Sequence, residues 1–317
     1  MGKLNKVYLG CHEVNLSIMK KLVTILFAIS CLSLQTFAQQ DPLYSQYFNN
    51  PMLINPAFAG SMDRLFIGIA YRSQWSGIEG GPATFNLNSH IALADNKVGA
   101  GLVVVQDKIG EIKNTFYGGA ASYKLQLNAN TSLAFGMQMG MVQYATNQDG
   151  LNIQNPDDRF AAFTETNFNT GVGVLLRGDR YTAGLSVPQI LSNSASLGGQ
   201  PVKIYSQNYY LFGSYLFNLN ERIEFKPSAL LRFTSGSTPA ADINANFTFN
   251  RLYTAGLLLR NLNTFGLLLQ GVYKNFRLGY VFELPTKSSA LNFSTSEISL
   301  AVSLDVLQNH NHSQTGY

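Results

Sequence analysis

The chain has 317 residues, of which 46% are hydrophobic, 12% aromatic and 13% charged, with a formal net charge of +4. That charged share is about half of what a soluble domain carries. With no basic patch, it excludes nucleic acid as a partner and points to a second, apolar solvent.

Read from its start, the chain opens on a leader. Met19-Lys20-Lys21 is a short basic start, Leu22 to Leu34 is almost wholly apolar, and Thr36-Phe37-Ala38 is a small-x-small cleavage site. The apolar stretch is too short and wrongly flanked for a membrane helix. Residues 1–38 are therefore expected to be a non-native extension, with the natural start at Met19, plus a signal peptide cleaved after Ala38. Acylation at Cys31 is the alternative, disfavoured by Ala28 and the abbreviated apolar core before it. Both cysteines, Cys11 and Cys31, leave with the leader, so the mature chain needs no disulfide framework. It keeps 18 basic against 17 acidic residues and is nearly neutral.

Residues 39–63 are not a strand. Pro42, Pro51 and Pro56, with Asn49-Asn50 and Asn55, break any ladder. Tyr44, Tyr47, Phe48, Met52, Leu53, Ile54 and Phe58 are too apolar for a free tail. The expectation is a segment that packs into or against the rest of the mature chain, as a plug or a partner-docking lid; a purely structural arm is the plainer alternative.

From residue 64 to 305 the pattern has period two. Ile223, Phe225, Pro227, Ala229, Leu231 and Phe233 share one face, while Glu224, Lys226, Ser228, Arg232 and Thr234 share the other, with Leu230 out of place. Ile243, Phe247 and Phe249 oppose Asp242, Asn244 and Asn246; Phe85 and Leu87 oppose Thr84, Asn86, Asn88 and His90. No mature segment approaches the roughly 18–20 apolar residues of a membrane helix. Strands of about ten residues with aromatic ends fit a tilted membrane strand instead. The pattern predicts strands near 64–75, 82–94, 96–107, 112–127, 130–146, 166–178, 179–188, 206–218, 222–235, 240–250, 251–261, 264–273, 275–284 and 295–305. Every second connection is a tight polar turn, as at Asp95-Asn96 and Asn250-Arg251, and those between are mostly longer, notably 147–165, 189–205 and 285–294. The fold class is thus all-β: a closed antiparallel transmembrane β-barrel of about fourteen strands, with a short N-terminal plug or docking segment and a polar tail at 306–317. The lipid bilayer is its first partner, the outer membrane its place, and the short-turn side puts both termini in the periplasm.

Gln40-Asp41-Pro42, Tyr44-Ser45-Gln46-Tyr47, Asn50-Pro51, Ile54-Asn55-Pro56-Ala57 and Ala59-Gly60-Ser61 form one extended motif. Together with Tyr71-Arg72-Ser73-Gln74-Trp75 and Gly81-Pro82, it resembles the PorP/SprF family of outer-membrane proteins of Bacteroidota. The likeness continues loosely through Asp107-Lys108-Ile109-Gly110 in the third connection. The resemblance implies type IX protein secretion and gliding motility, without catalysis. Its implied partners are other secretion components (a periplasmic ring or lipoprotein) and a secreted adhesin-like protein with a C-terminal sorting domain. The residues expected to form the plug or partner-binding segment are Asp41, Pro42, Tyr44, Gln46, Tyr47, Asn50, Pro51, Asn55, Pro56 and Gly60. Arg72, Gln74, His90, Arg232 and Arg260 are expected to face the lumen, and Trp75 to anchor at the interface.

No enzyme is expected, since no nucleophile, base and orienting group come together. His310 and His312 lack further zinc ligands. Asn147, Asp149 and Asp157-Asp158 lack calcium-loop spacing. No cofactor and no metal are assigned. A FadL-like outer-membrane channel for hydrophobic small molecules is the alternative function, for which Asn55-Pro56-Ala57 would serve in a hatch. It requires an apolar lumen, whereas most assigned inward positions are polar or glycine, with Leu230, Leu258 and Leu268 as exceptions. A passive porin would need rings of lumen charge.

Overall fold

The structure, a computed structural model, describes residues 44–146, 162–191, 194–197, 200–203, 207–235, 237–286 and 293–306. The leader, Asp41, Pro42, residues 147–161 and the tail from 307 lie outside these. The described residues form seventeen strands in chain order: β1 (Leu65–Ser73), β2 (Ala83–Leu93), β3 (Val98–Ile109), β4 (Ile112–Asn128), β5 (Thr131–Thr146), β6 (Phe163–Gly178), β7 (Tyr181–Val187), β8 (Ser194–Leu197), β9 (Gln200–Lys203), β10 (Asn208–Tyr215), β11 (Phe217–Asn218), β12 (Ile223–Thr234), β13 (Ala240–Phe249), β14 (Tyr253–Arg260), β15 (Thr264–Tyr273), β16 (Phe276–Pro285) and β17 (Thr295–Leu304).

Fourteen of them close a ring. β1 to β7, β10 and β12 to β17 each pair antiparallel with the next, and β17 returns to β1 with Arg72 opposite Glu297 and Leu65 opposite Leu304. β11 continues the course of β10 along β12, and β8 and β9 form a separate two-stranded hairpin. Closure removes the edges that hydrocarbon would leave unpaired. One end of the ring carries tight turns. Asn250 and Arg251 both have positive φ (51° and 57°), the backbone of a hairpin turn whose twist matches its strands. The other end carries the longer connections, and the barrel's first and last residues meet at the turn end, where Arg64 pairs with Asp305 at 2.7 Å.

Alternation decides which face meets lipid. Leu87, Leu102, Phe135, Val172, Leu185, Ile243, Leu257, Leu267, Leu269, Leu278 and Leu300 point outward and are exposed. At the turn end Tyr215, Phe217, Phe225 and Phe247 lie ring against ring at 4.6, 6.0 and 4.6 Å, forming part of an aromatic girdle. Thr84, Asn86, Asn88, Ser122, Gln138, Asn169, Asn244 and Asn246 point inward and are buried.

Several boundaries differ from the sequence reading. β1 stops at Ser73 because Trp75 takes a left-handed backbone (φ 56°), leaving Gln74 and Trp75 in the connection. β3 starts two residues late because Ala94, Asp95 and Asn96 all have positive φ, and it carries Asp107, Lys108 and Ile109 inside the strand. The hairpin β8–β9 lies within the connection at 189–205, where the alternation alone predicts no strand.

Candidate functional site

Asn50-Pro51 and Asn55-Pro56 each begin one turn of 3-10 helix, Pro51–Leu53 and Pro56–Phe58. Proline supplies the first helical φ and has no N–H to leave unpaired. Asn55 caps its turn by accepting from Ala57 N at 2.9 Å. The same prolines bar this stretch from the sheet, so its apolar side chains find cover within the ring.

Residues 44–61 run the height of the lumen. At the turn end Arg177 Nη1 donates to Ser61 O (2.7 Å) and Ser122 Oγ to Ala59 O (2.7 Å). Midway, Asn55 Nδ2 donates to the Val174 and Leu185 carbonyls (3.1 and 3.3 Å), bridging β6 and β7, and Ser186 Oγ donates to Ile54 O (2.5 Å). At the loop end Arg260 Nη2 donates to Tyr44 O (3.3 Å). The described chain therefore begins at the opposite end of the barrel from Leu304.

The inner wall is shaped for this occupant. Tyr47, 0% exposed, meets Phe212 edge-on at 5.9 Å and receives a hydrogen bond from Asn244 Nδ2 (2.5 Å); Phe58 also meets Phe212 edge-on, at 6.0 Å. Met52, Leu53, Ile54 and Phe58 join Val103, Phe116, Val142, Leu175 and Leu230 in one buried cluster. Full burial of each such side chain contributes about 1.5–3 kcal/mol. Where the segment's backbone and amides touch the wall, the wall has glycine: a Cβ on Gly99 would overlap Ala59 O, on Gly136 Ala57 N, on Gly173 Asn55 Oδ1, and on Gly279 Gln46 Oε1. Gly60 has φ +63° and no room for a Cβ beside Gly99, so it is glycine on both counts.

Near the loop end two guanidinium groups and three carboxylates are buried together. Arg72 reaches Glu283 at 2.8 Å and Glu297 at 3.3 Å; Arg260 reaches Asp242 at 3.0 Å and Glu283 at 3.2 Å. The segment completes the cluster: Ser45 N and Gln46 N donate to Glu297 (2.8 and 3.1 Å), and Ser45 Oγ hydrogen-bonds both Glu283 and Arg72. Charges this buried persist only when each is paired and hydrogen-bonded.

Of the plug residues named from sequence, Tyr44, Gln46, Tyr47, Asn50, Pro51, Asn55, Pro56 and Gly60 lie in the lumen; Asp41 and Pro42 are outside the described residues. Arg72 and Arg260 come together through Glu283. Gln74 accepts from Arg72 Nε (3.3 Å), and His90 stacks on Phe66 at 5.0 Å. Arg232 lines a small cavity with Tyr44 and Asp242. Sequence reading missed Glu297 and, Leu230 apart, the apolar inner wall, although both stand in phase with the inward polar positions. A cavity of about 560 Å³ opens at the turn end beneath Ala57–Ser61, with Lys97, Lys124, Arg177, Asp63 and Asp179 around it. Among the described residues no three His, Cys, Asp or Glu side chains are grouped to hold a metal.

The family model "Type IX secretion system membrane protein PorP/SprF" matches residues 36–302. Compared by sequence with curated proteins, the chain matches none. Among solved structures, the "CymD monoaromatic hydrocarbon channel" is similar with a TM-score of 0.50 and 11% identity, covering 87% of this chain and 96% of its own. The toluene transporter TbuX of Ralstonia pickettii gives 0.51 and 10%, covering 80% and 92%. At such identities the likeness is one of fold.

Proposed function

Because the chain belongs to the PorP/SprF family of type IX secretion system membrane proteins, we propose that this outer-membrane barrel is a non-catalytic anchor that assists export, or surface retention, of a protein bearing a C-terminal sorting domain. The turn end faces the periplasm and the secretion components there, and the loop end faces the departing protein. The observation that carries this reading is the filled lumen: residues 44–61 occupy the ring on a seat of glycines, amide contacts and buried ion pairs. A barrel occupied in this way presents surfaces and holds partners.

A channel for hydrophobic small molecules is the second reading, favoured by the apolar inner wall and by the fold shared with the CymD channel. That wall is covered by the chain's own Met52, Leu53, Ile54 and Phe58. Deleting the gene in its native host and comparing surface and secreted proteins by mass spectrometry separates the readings. Loss of one adhesin-sized surface protein is expected for a dedicated partner, and loss of every sorting-domain protein for a core component. An unchanged secretome with impaired uptake of an apolar nutrient would favour the channel.

A further inference from the structure

One wall of the barrel stands taller than the rest. β4, β5 and β6 have 17, 16 and 16 residues, whereas β7 and β10 have 7 and 8. The β5–β6 ladder continues to Thr146 opposite Phe163, but the β6–β7 ladder stops at Val172 opposite Val187. Among the described residues, β6 above Val172 therefore has a strand on one side only.

Successive residues of a strand send their N–H and C=O groups to opposite edges. Thr170 O accepts from Ile190 N at 2.7 Å on the β7 side, which fixes the parity: Thr164, Thr166 and Phe168 turn their backbone groups to that same edge. Up to Thr170 the chain covers the edge itself. Beside that bond Pro188–Leu191 lie over the inner face: Leu191 O accepts from Asn169 Nδ2 (2.9 Å), Pro188 O accepts from Gln138 Nε2 (2.6 Å), and Gly171 leaves no room for a Cβ beside Pro188. Such cover is required at the depth of the hydrocarbon, where unpaired backbone is costly. On the outer face Val174, Val172 and Phe168 are exposed, and Thr164 and Thr166 continue the same face. The aromatic marks the interface, so the open stretch clears the lipid. The hairpin β8–β9 pairs with itself as a separate sheet.

We propose that the open edge of β6, Phe163–Phe168, is the docking site for an extended strand of the exported protein. This rests on the export reading above and specifies where the contact is made. A row of backbone donors and acceptors is matched only by another strand. The alternating side chains state which strand fits: Thr164, Thr166 and Phe168 face out, and Glu165 and Asn167 face in, their side chains joined at 3.3 Å. The arriving strand carries β-branched or aromatic residues outward and a polar or basic residue opposite Glu165. The edge stands at the loop end, past which a departing protein must travel.

The test uses the full chain in its native host, and the probe is the surface protein lost in the deletion strain. Thr164→Pro with Thr166→Pro removes two donors from the open edge and none from the β5 ladder. The barrel is expected to stay heat-modifiable while that surface protein falls about tenfold. A photo-crosslinking residue at Thr166, with Leu267 on the far wall as the control position, is expected to capture the same protein from 166 alone, even if the proline variant assembles poorly. Normal export by the double variant overturns the edge while leaving the export reading intact. A crosslink from 166 only to a second copy of this chain overturns it in favour of a homotypic contact. A deletion strain that loses no surface protein overturns both.

Discussion

Arg72 is held by carboxylates from two neighbouring strands, Glu283 on β16 and Glu297 on β17, and by Ser45 of the lumen segment. Its removal leaves buried negative charge that Arg260 alone must balance. Arg72→Ala is expected to cost about 3–5 kcal/mol, as unpairing a buried charge does. Glu297→Gln, which keeps the shape and lowers the excess of carboxylates, should cost clearly less. Urea titration of the barrel in detergent, followed by heat-modifiability, measures both, and equal costs would contradict the pairing assigned to Arg72. Arg72 is readable as an inward residue from its place in the alternation, but its two carboxylate partners are not. They lie more than 200 residues away in the chain, and only closure of β17 onto β1 brings them opposite.

The lumen segment and its glycine seat act as one element. Gly136→Val and Gly173→Val put a side chain where Ala57 N and Asn55 Oδ1 lie, while valine suits a strand. Overpacking of about 1–3 kcal/mol falls on the segment more than on the ring. The expected outcome is an intact, heat-modifiable barrel whose residues 44–61 become protease-sensitive and whose conductance in planar bilayers rises; unchanged protection would contradict the seat. Asn55→Ala with Pro56→Ala removes the cap and the bridge to β6 and β7, each bond worth about 1 kcal/mol. It should impair export without loss of the barrel, and normal surface display would remove the segment from the function. The prolines and aliphatics of 44–61 announce a packed, non-strand segment. Its place depends on Gly99, Gly136 and Gly173, which in sequence are indistinguishable from glycines at ordinary turns or bulges.

At the scale of the molecule, lipid on one face and the segment on the other explain the whole alternation. Leu230, an apolar residue in phase with its polar neighbours, is inward because it joins the cluster around Tyr47 and Phe212. Leu267→Arg, on the outer face in the middle of β15, should cost about 2–4 kcal/mol of barrel stability, and Trp75→Arg at the loop end no more than about 1 kcal/mol. Folding into lipid vesicles across a denaturant series checks the contrast, and equal effects would argue against a bilayer around β15.

Fold class, a strand number of about fourteen and the inward or outward sense of most strands were determined by the sequence itself. Period-two alternation and turn chemistry are local, and lipid outside the ring admits only one phase. Which inward residues meet, how the segment threads the lumen from Ser61 to Tyr44, and where β6, among the described residues, outruns its neighbour were decided by the tertiary structure alone. These depend on ring closure and on unequal strand heights, which set contacts between residues far apart in the chain.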